Sequence, residues 1–117
     1  MIENFIKKYG ELSDSIVYEI NFKLYNLKEI ELILYCANID NSFIYETVKV
    51  LLKDVTELSF YENENYNNFS FKDVLIKNEE GIILFDFDPI DHFDYLEESQ
   101  QSKFKIKFKN LEYMVIS

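Results

Sequence analysis

The chain has 117 residues, which fits one domain, and 48% of them are hydrophobic, which is enough to build a buried core. Its formal net charge is −10 and every cation is a lysine, which argues against nucleic acid or an anionic membrane as a partner, because both attract positive surfaces. Cys36 is the single cysteine, so an internal disulfide is excluded and we expect a small buried thiol.

The N-terminal half is predicted to contain one helix followed by three strands. Residues 2–9 carry apolar side chains at helical spacing and end before Gly10, which is typical of a short amphipathic helix. The strands are recognised by alternation of apolar and polar side chains, and a short connection at 26–28 predicts a hairpin between the first two. The first strand is predicted to be half-buried, with Tyr18 on the apolar face together with Ile16 and Ile20, and Val17 on the other face with Glu19.

The C-terminal half is predicted to contain three further strands and a short helix. Parity breaks near Asp54, which indicates a bend, and residues 61–68 are polar enough to predict an exposed loop. Pro89 ends the fifth strand, and Asp91 is positioned to cap a short helix over 91–98. The six predicted strands are 16–25, 29–37, 44–53, 69–76, 82–88 and 103–115, the last with a bulge near Asn110.

These elements predict a mainly β fold in one domain spanning residues 1–117. The connections are short and the α-helix/β-strand rhythm of a parallel sheet is missing, so the six strands are expected to form an antiparallel meander. Both faces of the predicted sheet carry apolar side chains that need covering. We therefore expect a sandwich or partly open barrel, with short helices at 2–9 and 91–98.

The acidic stretch, residues 79–98, is the most unusual part of the sequence. It contains eight acidic side chains and no lysine, together with the only proline and the only histidine. Acidic side chains alternate there with aromatic ones, a composition suited to contacting a basic protein. The predicted partner-binding residues are Asp86, Asp88, Asp91, Phe93, Asp94, Tyr95, Glu97 and Glu98. A solvated acidic edge that only favours solubility is the alternative.

Catalytic and metal-binding interpretations of this stretch are weaker. Residues 83–88 form an apolar strand followed by Asp86-x-Asp88, which is similar to the first motif of haloacid-dehalogenase-type phosphatases. Pro89 and Ile90 depart from that motif, and the strands around it alternate as antiparallel ones do. The acidic spacing lacks the glycine and closing glutamate of an EF-hand calcium loop, and His92 has no recognisable nucleophile beside it. We therefore predict no catalytic residue, no metal site and no cofactor.

Lysines alternate with apolar residues in the last strand, at Lys103, Lys105, Lys107 and Lys109. One interpretation is the solvent face of an edge strand, where lysines oppose aggregation. The other is that the lysines pair across the sheet with Asp86 and Asp88.

Three segments of the chain are similar to a subset of the small immunity proteins of bacterial polymorphic or contact-dependent toxin systems. They are residues 12–16 (LSDSI), Glu19-Ile20 and residues 55–58 (VTEL). Ser13 stands where that subset often has histidine. The resemblance implies a short, acidic, catalytically inert cytoplasmic protein that binds and neutralises a cognate toxin.

Combined with the acidic stretch, the resemblance predicts a basic toxin, such as a nuclease, as the partner. The active site of a nuclease binds phosphate with basic residues, so an acidic protein can block it by occupying the phosphate position. The alternative is a phage or mobile-element accessory domain with a scaffold role. The first residues lack a continuous apolar signal segment, and no apolar run has the length of a membrane span, so we expect a cytoplasmic location.

Overall fold

The computed structural model describes residues 2–23, 28–60 and 69–117, and the chain is mainly β. One α-helix, α1, spans Ile2–Tyr9. The strands in chain order are β1 (Ser15–Phe22), β2 (Glu29–Asn38), β3 (Ile44–Lys53), β4 (Glu57–Phe60), β5 (Phe69–Phe71), β6 (Leu75–Glu79), β7 (Ile82–Asp86), β8 (Ile90–Asp91), β9 (Leu96–Glu97), β10 (Phe104–Phe108) and β11 (Asn110–Val115). The predicted loop at 61–68 and most of the predicted connection at 26–28 lie outside the described residues.

Two antiparallel sheets form the body of the fold, as the alternation predicted. The five-stranded sheet has the order β11-β3-β2-β1-β5, and the four-stranded sheet has the order β4-β10-β7-β6. Strands β8 and β9 form a separate two-stranded ribbon. The two sheets share one apolar core, so the architecture is sandwich-like and the barrel is not closed. Within the described residues, no helix is long and apolar enough to cross a membrane.

The chain passes from one sheet to the other at three points, and two of the predicted strands are divided there. After β3 the backbone bends at Asp54, where φ is +55°, and β4 joins the other sheet. This confirms the bend predicted there. The predicted strand 69–76 is divided in the same way into β5 and β6, and the predicted strand 103–115 into β10 and β11 at Lys109. A strand must bend to change sheets, which is why parity breaks at these points.

Helix α1 and a set of phenylalanine rings fill the space between the sheets. Phe5 is fully buried, and its ring lies 6.0 Å from that of Phe85 and 5.3 Å from that of Tyr113. Phe87 and Phe104 stack at 4.3 Å, so the two central strands of the smaller sheet are joined by ring contacts as well as hydrogen bonds. The amphipathic helix predicted at 2–9 therefore exists and buries its apolar face in the core.

The facing of β1 differs from the prediction because the strand contains a bulge. Val17 pairs with Leu34 and Glu19 pairs with Ile33, so Tyr18 is the extra residue. The bulge turns Val17 into the core and leaves Tyr18 exposed on the outer face of the sheet. Strict alternation misses this feature, because a bulge changes parity without changing the composition of the strand.

Candidate functional site

The acidic stretch divides into a buried part and an exposed part, and Asp86 belongs to the buried part. Its side chain is 0% exposed at the end of β7. One carboxylate oxygen accepts hydrogen bonds from the Ser102 hydroxyl at 2.6 Å and the Asp88 amide at 3.0 Å, and the other accepts from the Ser99 amide at 2.9 Å. The prediction that Asp86 contacts a partner is therefore wrong. Its carboxylate instead fastens the chain that follows β9 onto the end of β7.

Asp88 continues the same connection at the surface. It is exposed, and its carboxylate accepts the Lys103 amide at 3.1 Å. Asp86 and Asp88 lie at the start of the segment between β7 and β10 and accept hydrogen bonds from residues at its end. The two ends of the segment are therefore held together, and the hairpin between them is anchored.

Lys105 is buried rather than solvated, and β10 lies between β4 and β7 rather than at an edge. The edge-strand interpretation of the lysines is therefore wrong. Although Lys105 lies opposite Asp86 in the ladder, its ammonium group bonds Glu98 at 2.9 Å and the Ser99 carbonyl at 3.1 Å. Lys107 also approaches Glu98, at 3.4 Å. The hydrogen bond from Lys105 lowers the pKa of the Glu98 carboxyl below its usual range, although its partial burial opposes this.

The exposed part of the acidic stretch is a small β-hairpin, residues 90–97, which we call the acidic hairpin. The helix predicted over 91–98 is wrong: β8 pairs with β9, with Ile90 opposite Glu97 and Asp91 opposite Leu96. The Asp91 side chain accepts the Phe93 amide at 2.8 Å, as a helix cap would, but the chain then reverses. The His92 amide donates to the Tyr95 carbonyl at 3.0 Å and closes the turn.

The side chains of the turn brace one another. The His92 and Tyr95 rings stack at 4.6 Å with an interplanar angle of 19°. On the other side, His92 Nε2 lies 2.8 Å from Glu97 Oε1. These contacts hold the exposed His92 ring between Tyr95 and Glu97.

Phe93 occupies the tip of the acidic hairpin and is 99% exposed. Its φ is +74°, a left-handed conformation that is unfavourable for a bulky side chain. The Asp91 cap and the His92–Tyr95 bond hold the backbone in this conformation. A phenyl ring is thereby presented to solvent on a braced turn.

Apart from Asp86, the predicted partner-binding residues lie in the acidic hairpin or at its base, and they differ in how exposed they are. Asp91 and Asp94 are exposed carboxylates on either side of Phe93, Glu97 is exposed at the base of the hairpin opposite Ile90, and Tyr95 is 60% exposed. Glu98 is half-buried against the lysines of β10. The exposed surface of the site is therefore the acidic hairpin with Asp88 at its base, while Asp86 and Glu98 hold it to the sheets.

A second aromatic surface was not predicted. Tyr18, Tyr35 and Tyr45 form a row across β1, β2 and β3 on the outer face of the larger sheet, with ring separations of 5.6 Å and 4.9 Å. Phe43, 65% exposed and with φ of +62°, lies near this row in the connection between β2 and β3. Strand periodicity did not predict this row, because the bulge at Tyr18 shifts the register of β1.

The hydrogen bonds of Asp86 give it a structural role. Its oxygens are occupied by two amides and a hydroxyl, which leaves the carboxylate unsuited to the attack on phosphorus that the Asp-x-Asp similarity suggested. In the part of the chain that the structure describes, no three His, Cys, Asp or Glu side chains are grouped to hold a metal ion. Burial raises the pKa of the Cys36 thiol to about 12, so it is protonated at neutral pH.

Comparisons with protein-family models, with curated protein sequences and with solved structures found no match to this chain.

Proposed function

We propose that this protein is a non-catalytic immunity protein that binds and neutralises a cognate basic toxin, such as a nuclease, through its acidic hairpin. The observation that carries the proposal is Phe93, 99% exposed in a left-handed conformation at the tip of a braced turn. Backbone strain and a solvent-exposed aromatic ring both cost stability, and both are features of recognition sites.

The charge around Phe93 selects the chemistry of the partner. Asp91 and Asp94 are exposed within two residues of Phe93, Glu97 is exposed in the same hairpin, and the whole chain carries −10. An aromatic anchor inside an acidic rim matches a cationic cleft, because the rim speeds encounter and the ring supplies buried area. A toxin whose active site binds phosphate has such a cleft. The acidic hairpin would neutralise this toxin by occupying the cleft, without any reaction.

The bracing contacts support the same function. Asp86 ties the base of the connection to Ser99 and Ser102, and the His92–Tyr95 stack stiffens the turn. A loop that is already ordered loses less conformational entropy on binding, which raises affinity. The proposal locates the protein in the cytoplasm, the compartment in which such toxins act.

The experiment pairs this protein with the product of the adjacent upstream gene, expressed in the same cells. We expect co-expression to restore growth and the purified proteins to form a complex. Phe93→Ala should weaken the complex at least tenfold, the loss typical of a central aromatic anchor. Phe43→Ala is the matched control, because Phe43 is also an exposed phenylalanine with positive φ but lies on a different turn.

Three results would contradict the proposal. The first is a neighbouring product that is not toxic or does not bind this protein. The second is a complex that survives Phe93→Ala unchanged. The third is a complex that depends on Phe43 instead, which would move the interface to the β2–β3 connection and the tyrosine row.

A further inference from the structure

The larger sheet ends in β11, whose outer edge has no strand neighbour among the described residues. The Ile116 amide donates to the Thr47 carbonyl at 2.8 Å, so Ile116 is a hydrogen-bonded position of the β3–β11 ladder. Bonding alternates along an antiparallel strand, so Glu112 and Met114 also bond β3. The amides and carbonyls of Leu111, Tyr113 and Val115 therefore point outward, away from the sheet.

Edge strand β11 lacks the protection that the other edges carry. It has six residues, contains no lysine or proline, and keeps an uninterrupted register with β3. The edges β4 and β5 have four and three residues, and β6 ends in the polar sequence Lys77-Asn78-Glu79. Exposed edges are normally blocked by shortness, charge or a bulge. Strand β11 is longer than those edges, is regular from Asn110 to Val115, and carries one charged side chain, Glu112, which bonds Lys53 of the neighbouring strand.

Apolar side chains accompany the free edge. Met114 is 54% exposed, Val115 is 44% exposed and Ile116 is 47% exposed. They are consecutive, so both faces of the strand end are apolar. An unpaired edge with apolar faces is suited to receiving another strand.

We propose that the strand received is β11 of a second copy of this chain, paired antiparallel about a two-fold axis at Tyr113. Leu111, Tyr113 and Val115 present the outward bonding groups of β11, and the antiparallel register that uses all three on both copies is centred on Tyr113. Tyr113 then lies opposite Tyr113 of the second copy, and Leu111 lies opposite Val115 of that copy. The pairing makes six backbone hydrogen bonds and joins two five-stranded sheets into one of ten strands.

The charges at this edge fit the same register. Met114 lies opposite Lys49 on β3, and Glu112 bonds Lys53 at 3.0 Å. In the dimer Met114 also faces Glu112 of the second copy, so the backbones of Lys49 and that Glu112 lie two strands, about 10 Å, apart. Lysine and glutamate side chains bridge that distance, which gives two reciprocal ion pairs. Each Glu112 then lies between Lys53 of its own chain and Lys49 of the second copy. The charges of the two edges are therefore complementary, although each chain carries a net charge of −10.

The interface is separate from the acidic hairpin, which follows β7 in the other sheet, so the inference does not depend on the toxin proposal. Its test needs only this protein. The mass of the wild-type protein in solution, measured against concentration, should rise to that of a dimer. A monomer mass throughout the micromolar to millimolar range would overturn the proposal.

Cysteine cross-linking tests the register. Glu112→Cys and Met114→Cys are made as separate proteins, and Cys36 stays out of the reaction because it is buried and its pKa is raised to about 12. In the proposed register position 112 faces position 114 of the second copy within disulfide range, whereas equal positions are diagonal and about 7–8 Å apart. Mild oxidation should cross-link the mixture of the two variants and leave each variant alone uncross-linked. Equal cross-linking in the separate variants, or none in the mixture, would overturn the register.

A backbone variant tests the hydrogen bonds directly. Val115→Pro removes an amide that points outward, so the β3–β11 ladder keeps its bonds while the dimer loses two. We expect at least tenfold weaker dimerisation with Val115→Pro and little change with Val115→Thr, which keeps the amide. Equal dimerisation of the two variants would overturn the proposal, and the cross-linking result decides the question if Val115→Pro does not fold.

Discussion

Asp86 belongs to the acidic stretch, yet it is buried and stabilises the fold. The sequence groups Asp86 with the other carboxylates of the stretch. In the structure it is buried and accepts hydrogen bonds from Ser99 and Ser102, which lie 13 and 16 residues further along the chain. Hydrogen bonds from partners that distant in sequence leave no local pattern, so its burial could not be predicted. Its neighbour Asp88 has the same residue type and is exposed.

Replacing Asp86 should destabilise the protein strongly. Asp86→Ala removes the charged acceptor of the Ser99 and Asp88 amides and of the buried Ser102 hydroxyl, so we expect a loss of about 2–4 kcal/mol in the free energy of unfolding. Asp94→Ala, in the same stretch but exposed, is the control and should change it by less than about 0.5 kcal/mol. Urea denaturation measures both. Equal stability of the two variants would mean that the Asp86 bonds do not support the fold.

At the scale of elements, the accuracy of prediction follows the regularity of each strand. Strand β3 was predicted closely because its buried residues, Val48, Val50 and Leu52, alternate without interruption. The helix at 91–98 was wrong because an aspartate that bonds the amide two residues later precedes helices and tight turns alike. The placement of a hairpin there depends on contacts with Ser99 and Lys103, which short-range patterns do not show.

The segment after β9 is held on β10 by Glu98, and this attachment should depend on pH. The pKa of Glu98 is lowered below its ordinary value of 4.5, so the native state binds this proton less readily than the unfolded state does. Its stabilising effect is therefore full above about pH 4.5 and is lost as the pH falls through the lowered native pKa.

Glu98→Gln isolates that contribution. The variant weakens the bond to the buried Lys105, so we expect it to be less stable by on the order of 1–3 kcal/mol at pH 7. The difference from the wild type should shrink below about pH 4.5, because the wild-type carboxyl then loses its charge. Urea denaturation at pH 7, 5, 4 and 3 measures the difference. A difference that stays constant over this range would show that the Glu98 charge does not stabilise the attachment.

At the scale of the whole molecule, a sandwich of two sheets presents an exposed hairpin at one place and, among the described residues, an unpaired strand edge at another. The fold class could be predicted from alternation alone, because burying two sheet faces requires two layers. The acidic and aromatic composition predicted the candidate surface, and the structure narrows it to the exposed hairpin around Phe93. The sheet order, with β10 between β4 and β7, depends on long-range pairing and could not be predicted.

The measurement that tests the central claim most directly is the rate of association with the adjacent gene product as a function of salt. Asp94→Lys and Glu80→Lys change the net charge equally, and both residues are exposed in the acidic stretch, but only Asp94 lies beside Phe93. If the acidic hairpin is the interface, Asp94→Lys slows association about tenfold and flattens its salt dependence, while Glu80→Lys has a much smaller effect. Equal effects of the two variants, or none, would contradict the assignment of the hairpin as the partner-binding site.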